Sequence, residues 1–211
     1  MRRTAAQTRE HILRTTHDLF YWHGVRAVGV DRVAAEAGVA PTTLYRLFAS
    51  KDDLIAAYVE RADTLYREWF EAVVDRAGRD PLDRVLAVFD ALTEQVQPEH
   101  CRGCPFLMVL AEFPEPEHPA HRNAVAMKTW VRDRLGRLTA DLPVGDPEEL
   151  ADQLCLVMEG VYGSVQGLGA DGPARRARAL ARTLLTVAGA APAPVARPDG
   201  RTGTRGADDR G

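Results

Sequence analysis

Residues 30–51, VDRVAAEAGVAPTTLYRLFASK, decide the fold of this chain. The first half of this stretch has apolar residues at the i, i+3, i+4 and i+7 spacing of one short helix: Val30, Val33, Ala34 and Ala37. Gly38 follows the last of them, and glycine readily adopts the left-handed conformation that ends a helix. Val39 is then expected to insert between this helix and the next. The pattern predicts two short helices joined by a tight turn.

The second half of the stretch predicts a helix with one buried and one polar side. Pro41 suits the first position of a helix, where its missing N–H has no consequence. The residues expected on the buried side are Leu44, Leu47 and Phe48, and those on the polar side are Thr42, Thr43, Tyr45 and Arg46. Hydroxyl groups, a phenol ring and a guanidinium are groups that bind base edges and phosphate oxygens in the major groove. The two helices therefore predict a helix-turn-helix that reads DNA.

Residues 37–54, AGVAPTTLYRLFASKDDL, resemble the helix-turn-helix of tetracycline-repressor-type (TetR family) regulators. The matching positions are Ala37, Gly38, Val39, Thr43, Leu44, Tyr45, Phe48, Ser50, Lys51 and Leu54. Two positions depart from the family pattern, since Thr42 stands where glycine is frequent and Gly29 stands where a serine or threonine usually caps a helix. The resemblance implies that Thr43, Tyr45 and Lys51 contact mainly phosphates, with Thr42 and Arg46 nearest the bases. Arg32 and Pro41 complete the expected DNA-binding set.

The alternative is that the two helices serve only for packing. Many proteins contain two short helices joined by a glycine turn and do not bind DNA. In that case the function would belong to the rest of the chain, as a helical protein that binds a small molecule or a partner.

Composition and charge are compatible with a DNA reader. The 211 residues are 45% hydrophobic, but no apolar run reaches membrane-spanning length and the N-terminus lacks the apolar core of a signal peptide, so we expect a soluble cytoplasmic protein. Residues 1–51 contain eight Lys and Arg against four Asp and Glu, whereas the whole chain has a net charge of −3. A basic N-terminal part on an acidic body favours phosphate contact at one end of the molecule.

Every further periodic segment predicts helix, so the fold class is all-α. The predicted helices are 8–22, the two short ones, 51–79, one from 81 towards 98, 105–113, 120–142, 147–169 and 174–188. We expect a helix-turn-helix DNA-binding domain at 1–51, a helical ligand-binding and dimerisation domain at 52–189, and a disordered tail at 190–211 that is rich in Pro, Gly and Arg.

The helix at 147–169 is apolar on two faces, and a helix of that kind needs two partners. One face carries Leu156, Gly160, Gly163 and Gly167, where another backbone could approach closely. Together with Leu180 and Leu184 on the last helix, this face predicts a two-fold homodimer. The family resemblance also implies a dimer built from the last two helices, together with an inverted-repeat operator on double-stranded DNA.

The family resemblance further implies an effector cavity in the helical body and a repressor that a small molecule releases from DNA. The large or adaptable side chains expected to face inward are Trp69, Phe89, Phe106, Met127, Trp130, Met158 and Tyr162. These groups suit an apolar or aromatic effector, and core packing is the more common role for each one. Glu159 lies in an apolar helix and is either a cavity carboxylate or an ion-paired interior residue.

Cys101 and Cys104 have the CxxC spacing of redox and zinc sites. A thiol-based redox sensor is therefore a second alternative. No second closely spaced cysteine pair and no preceding strand accompany the motif, so we predict no metal site and no cofactor. The sequence contains no nucleophile elbow, phosphate loop or HExxH motif, and we predict no enzymatic activity.

Overall fold

A computed structural model describes residues 3–97 and 101–190, and this part of the chain is helical without β-strands. Its elements are α1 (Ala5–His23), α2 (Val30–Glu36), α3 (Pro41–Leu47), α4 (Lys51–Arg76), α5 (Pro81–Gln95), α6 (Pro105–Glu112), α7 (Pro119–Ala140), α8 (Pro147–Leu168), a 3₁₀ turn (Pro173–Arg176) and α9 (Ala177–Val187). The all-α fold class predicted from the sequence is confirmed.

The three N-terminal helices pack around a small apolar core. Thr4 caps α1 by accepting a hydrogen bond from the Gln7 amide, and the Gln7 side chain accepts one from the Thr4 amide in return. Gly38 has φ +62°, the left-handed conformation expected after α2. Ile12 and Leu44 are fully buried between the helices. This core fixes the orientation of α3.

The remaining helices, including the 26-residue helix α4, form a bundle in which α7 contacts α4, α5, α6 and α8. Helix α4 packs against α1 at its N-terminal part and against α5 and α7 further along, while α7 packs against α8. Helix α9 contacts α5 and α8. The buried apolar residues of α1–α9 form one contiguous core, so side chains of the bundle contact the N-terminal helices directly.

The predicted helix boundaries differ from the structure at both ends of the chain. Helix α1 begins at Ala5, three residues before the predicted start, because the Thr4–Gln7 cap extends it. The last helix was expected from residue 174, but its first turn is the 3₁₀ turn Pro173–Arg176. The predicted disordered tail lies, except for Ala190, outside the described residues. No helix in the described ranges is long and apolar enough to cross a bilayer.

Candidate DNA-reading helix and internal cavities

Helix α3 presents a polar face to solvent and an apolar face to the core. Leu44 is fully buried and Phe48, just after the helix, is 3% exposed. Thr42 and Arg46 are exposed, and Tyr45 is 51% exposed. Leu44 anchors the helix, while the exposed Tyr45 ring leaves its hydroxyl available to another molecule.

The other residues predicted to bind DNA differ in how far they are exposed. Pro41 is exposed at the first position of α3, and Thr43 is half-buried beside it. Arg32 is exposed on α2. Lys51, the first residue of α4, is half-buried because its ammonium donates a hydrogen bond to the Arg26 carbonyl at 3.2 Å. An ammonium has three N–H donors, so two remain for an external acceptor.

Two side chains of α1 hold the helix-turn-helix in place. His11 Nε2 lies 2.9 Å from the Ala37 carbonyl at the end of α2. The Arg9 guanidinium lies over the Phe48 ring, 5.1 Å from its centroid. Sequence analysis did not assign these roles. Through these two contacts, α1 helps to fix the position of α3.

A cavity of about 190 Å³, here called the central cavity, lies between α4, α6, α7 and α8. Four of the residues predicted to bind ligand line it with apolar or aromatic groups: Phe106, Met127, Met158 and Tyr162. Glu159, the fifth, also lines the cavity. The rest of the wall, which the sequence pattern does not identify, consists of Tyr66, Cys104, Pro105, Lys128, Val131, Arg132 and Cys155.

The wall of the central cavity contains an ion pair between Lys128 and Glu159. Lys128 Nζ lies 2.6 Å from Glu159 Oε1 and 3.3 Å from Cys104 Sγ. Burial lowers the pKa of Lys128, but the Cys104 sulfur and the hydrogen-bonded Glu159 carboxylate outweigh burial and leave the pKa raised, so the amine stays protonated. Glu159 is thus both a cavity carboxylate and an ion-paired residue, which combines the two alternatives left open by the sequence.

A second space of about 240 Å³, here called the junction cavity, lies where α1 meets the bundle. His17 and Tyr21 of α1 line one side, and Trp69 of α4 lines another. Tyr66, Pro105, Phe106 and Tyr162 separate this space from the central cavity, since they line both. Tyr162 donates a hydrogen bond to Gln95 Oε1 at 2.9 Å. The two cavities therefore share an aromatic wall.

Phe89 and Trp130, also predicted to bind ligand, line neither cavity. Phe89 is fully buried in the core. The Trp130 ring stands edge-on to Phe70 at 5.6 Å, and the Arg67 guanidinium lies 4.7 Å from its centroid. Both residues pack between helices, because an inward-facing aromatic residue fills the core wherever the helices meet closely.

Helix α6 connects the cavities to the N-terminal helices at both of its ends. Before α6, the Tyr21 hydroxyl donates to the Gly103 carbonyl at 2.8 Å and accepts from the Arg102 amide at 2.7 Å. At the end of α6, the two oxygens of Glu112 accept from the amides of Val25 and Arg26 at 2.9 and 2.6 Å. The carboxylate thus caps the turn between α1 and α2. We call these two sets of contacts the α6 clamp.

An apolar face on α8 and α9 is exposed. Leu156 is 72% exposed and Leu180 is 48% exposed, and both border a groove that also includes Gly160. Gly163 and Gly167 are exposed on the same helix face, and a Cβ added at either would meet no heavy atom within 4 Å. Leu184 is half-buried against the core. Five of the six residues predicted at the dimer interface are therefore exposed.

The three cysteines are free thiols, of which Cys101 and Cys104 are buried. Burial raises the pKa of the Cys104 thiol, and burial also raises that of Cys155 to about 11. A protonated buried thiol is a poor nucleophile, so the structure does not favour the redox alternative. Among residues 3–97 and 101–190, no three His, Cys, Asp or Glu side chains lie close enough together to hold a metal ion.

A helix-turn-helix with an exposed polar face, joined to a helical bundle, is an architecture of DNA-binding proteins. The family described as "Bacterial regulatory proteins, tetR family" matches residues 12–58. The curated HTH-type transcriptional regulator YjdC of Escherichia coli is 26% identical over 152 residues, which cover 72% of this chain and 80% of YjdC.

Solved structures extend this similarity along most of the chain. A TetR-family transcriptional regulator from Streptomyces coelicolor is 31% identical, with a TM-score of 0.79 over 87% of this chain and 96% of its own. A TetR-family regulator from Cytophaga hutchinsonii has the same fold at 14% identity, with a TM-score of 0.78 over 89% of this chain and 98% of its own. The chain belongs to the TetR family and is a DNA-binding transcriptional regulator.

Proposed function

We propose that the protein is a repressor that binds an inverted-repeat operator as a two-fold homodimer and leaves it when a small molecule occupies the bundle. Residues 1–51 form the DNA-reading domain in this proposal, and residues 52–189 form the domain that binds ligand and dimerises. The proposed function involves no catalysis. The observation that carries it is the α6 clamp, because one helix both lines the cavities and holds the α1–α2 turn.

The proposed DNA contacts follow from the exposed face of α3. Thr42 and Arg46 are nearest the bases, and Thr43, Tyr45 and Lys51 contact phosphates, with Pro41 and Arg32 flanking them. The inner side of α3 is anchored by the fully buried Leu44 and the half-buried Leu47, so the side chains on its outer side hold a fixed spacing. A fixed spacing is what base readout requires, whereas phosphate contacts supply orientation and most of the affinity.

The proposed release mechanism follows from the two ends of α6. Pro105 and Phe106 form part of the wall of both cavities, so a ligand that displaces them displaces the first turn of α6. Glu112 ends the same helix, about two turns later, and caps the amides of Val25 and Arg26. Movement of α6 would therefore reorient the helix-turn-helix. Helix α4 offers a parallel route, because Lys51 begins it and Trp69 reaches the junction cavity.

In the proposed release, ligand binding and operator binding lower each other's affinity by the same factor. If the ligand weakens operator binding by a certain factor, the operator must weaken ligand binding by the same factor, typically worth about 1–3 kcal/mol. Calorimetry of one ligand with and without bound operator measures this coupling. Equal ligand affinity in the two titrations would contradict the proposed release.

Lys51→Ala is expected to weaken binding to all DNA sequences alike and to reduce the slope of log affinity against log salt by about 1 for each protomer, about 2 for the proposed dimer, because each protomer loses one phosphate contact. Fluorescence anisotropy with an operator obtained by random-sequence selection provides the measurement. Arg79→Ala removes the same charge from an exposed position beyond the far end of α4 and should leave the slope unchanged. Equal slopes for Lys51→Ala and the unmutated protein would refute the contact.

Glu112→Gln is expected to reduce the coupling between effector and operator while leaving effector affinity unchanged. A glutamine oxygen accepts from one amide, but its NH₂ group cannot accept from the second, so the cap on the α1–α2 turn is broken. The measurement is operator affinity with and without an effector identified among compounds that co-purify with the protein.

Glu115→Gln is the matched control for Glu112→Gln. Glu115 lies on the same connection and pairs with the same Arg26, but at 3.9 Å and with 62% of its side chain exposed. A surface ion pair of this kind contributes little. If Glu112→Gln kept the full effector response, the α6 clamp would not transmit the signal.

A further inference from the structure

The central cavity contains one buried polar atom that the protein does not satisfy. Glu159 Oε1 accepts from Lys128, but Glu159 Oε2 is removed from solvent and has no hydrogen-bond partner among the described residues. A buried acceptor without a partner is unfavourable in free energy, and more so when the group is charged. A ligand that donates to this oxygen would recover that free energy on binding.

The size of the cavity limits the ligand to one ring. Its volume is about 190 Å³. A buried apolar cavity of about 150 Å³ is known to hold benzene, whereas sites for drug-sized molecules begin at about 300 Å³. Phe106, Met127, Val131 and Met158 supply apolar walls that suit a ring with one or two small substituents.

The charge of the cavity limits the ligand to a neutral one. Lys128 already neutralises Glu159 at 2.6 Å, so that pair has no net charge. Arg132, the other charged residue of the wall, is paired with Asp152. A cationic ligand would add an uncompensated charge beside the Lys128 ammonium, and an anionic ligand would be repelled by the carboxylate. A neutral hydroxyl donates to Glu159 Oε2 without adding charge.

We infer that the central cavity binds a neutral single-ring compound with one hydroxyl donor, a small phenol or an aromatic alcohol, whose O–H donates to Glu159 Oε2. This inference rests on the proposed function, since it names the ligand class of the effector site. It assigns recognition of the hydroxyl to the Lys128–Glu159 pair and recognition of the ring to the apolar walls.

The test compares three probes of similar shape by calorimetry on the full-length protein without DNA: p-cresol, toluene and protonated 4-methylbenzylamine. We expect p-cresol to bind at least about tenfold more tightly than toluene, because a hydrogen bond to a charged group contributes about 1.5–3 kcal/mol. In a cavity without this acceptor the order would be reversed, since burying an unpaired hydroxyl is unfavourable. Binding of toluene as tightly as p-cresol, or tighter binding of the amine, would overturn the inference.

A double variant tests the residues that the inference names. Lys128→Met with Glu159→Leu removes the whole pair, so no single charge is left buried, and p-cresol should lose its advantage over toluene. Glu94→Gln, an exposed carboxylate on α5, is the control that should keep it. If the double variant folds by circular dichroism and still prefers p-cresol, the assignment to Glu159 is wrong. If it does not fold, the probe series on the unmutated protein decides.

Operator release is measured separately from binding. If p-cresol binds with the expected preference and leaves operator affinity unchanged, the ligand class holds and the proposed release is refuted. If a co-purified compound releases the operator while p-cresol shows no preference over toluene, the ligand class is refuted and the proposed release holds.

Discussion

Gly163→Leu is expected to lower affinity for an inverted-repeat operator by about 10²–10⁴-fold. The two DNA-binding domains of a dimer bind the two half-sites together, whereas separate protomers bind them independently and more weakly. The leucine side chain would project from the face of α8 that is proposed to meet its copy. Light scattering at micromolar concentration should show a shift from dimer to monomer. Fluorescence anisotropy on the same samples should show the loss of operator affinity.

The magnitude of this effect depends on the protomer remaining folded. A Cβ at Gly163 meets no heavy atom within 4 Å inside the protomer, so leucine causes no internal clash. Replacing a glycine in the interior of a helix also favours the helix by about 1 kcal/mol. The variant should therefore be at least as helical as the unmutated chain, and reduced DNA affinity would come from lost dimerisation.

Gly136→Leu is the control for the dimer prediction. Gly136 lies on α7, and a Cβ there likewise meets no heavy atom within 4 Å. This variant should gain the same helix propensity and remain dimeric. A Gly163→Leu protein that stays dimeric and binds operator normally would show that the copies meet elsewhere.

The helix-turn-helix could be predicted from the sequence because its signals are local. Gly38 and Pro41 mark the turn within four residues, and the buried positions Leu44 and Phe48 follow at helical spacing. The start of α1 was placed three residues late, although Thr4 and Gln7 carry the spacing of a capping box. The ends of these helices can therefore be predicted from the sequence wherever a local turn or capping signal is recognised.

The cavities were predicted only in part, because residue type does not show whether an inward-facing side chain meets a space or another side chain. Phe106 and Phe89 are both fully buried aromatic residues, yet only Phe106 lines a cavity. Lys128 was missed because a lysine beside Met127 in an amphipathic helix usually faces solvent. Its partner Glu159 lies 31 residues away, and only the packing of α7 on α8 brings the two together.

The α6 clamp had no sequence signal. Glu112 lies 87 residues after Val25, and a carboxylate at the end of a short apolar helix is common. Glu112 matters because its carboxylate accepts from the amides of Val25 and Arg26. The turn between α1 and α2 contains Gly24 with φ +90°, so the amides of the next two residues point towards α6 and need an acceptor. Tertiary hydrogen bonds of this kind follow from the fold and cannot be found before it.

Phe70→Ala is expected to lower the free energy of unfolding by about 3–5 kcal/mol, the usual effect of removing a fully buried phenylalanine. Phe70 is 0% exposed, and its ring meets the rings of Tyr66, Trp69 and Trp130 at centroid distances of 6.4, 6.2 and 5.6 Å. It therefore joins α4 to α7 beside the wall of the central cavity. Urea unfolding at a fixed protein concentration is the measurement, because the stability of the proposed dimer would depend on concentration.

Leu65→Ala is the control on the same helix, since Leu65 is 45% exposed and its truncation should cost about 1 kcal/mol or less. Comparable losses for the two variants would show that Phe70 does not anchor α4.

If the difference is as expected, the rigidity of α4 between Lys51 and the cavity depends on the packing of Phe70 against Tyr66, Trp69 and Trp130. Phe70→Ala should then also weaken the response of operator binding to ligand, because a helix that is loose against α7 absorbs a displacement instead of passing it to the DNA-reading end.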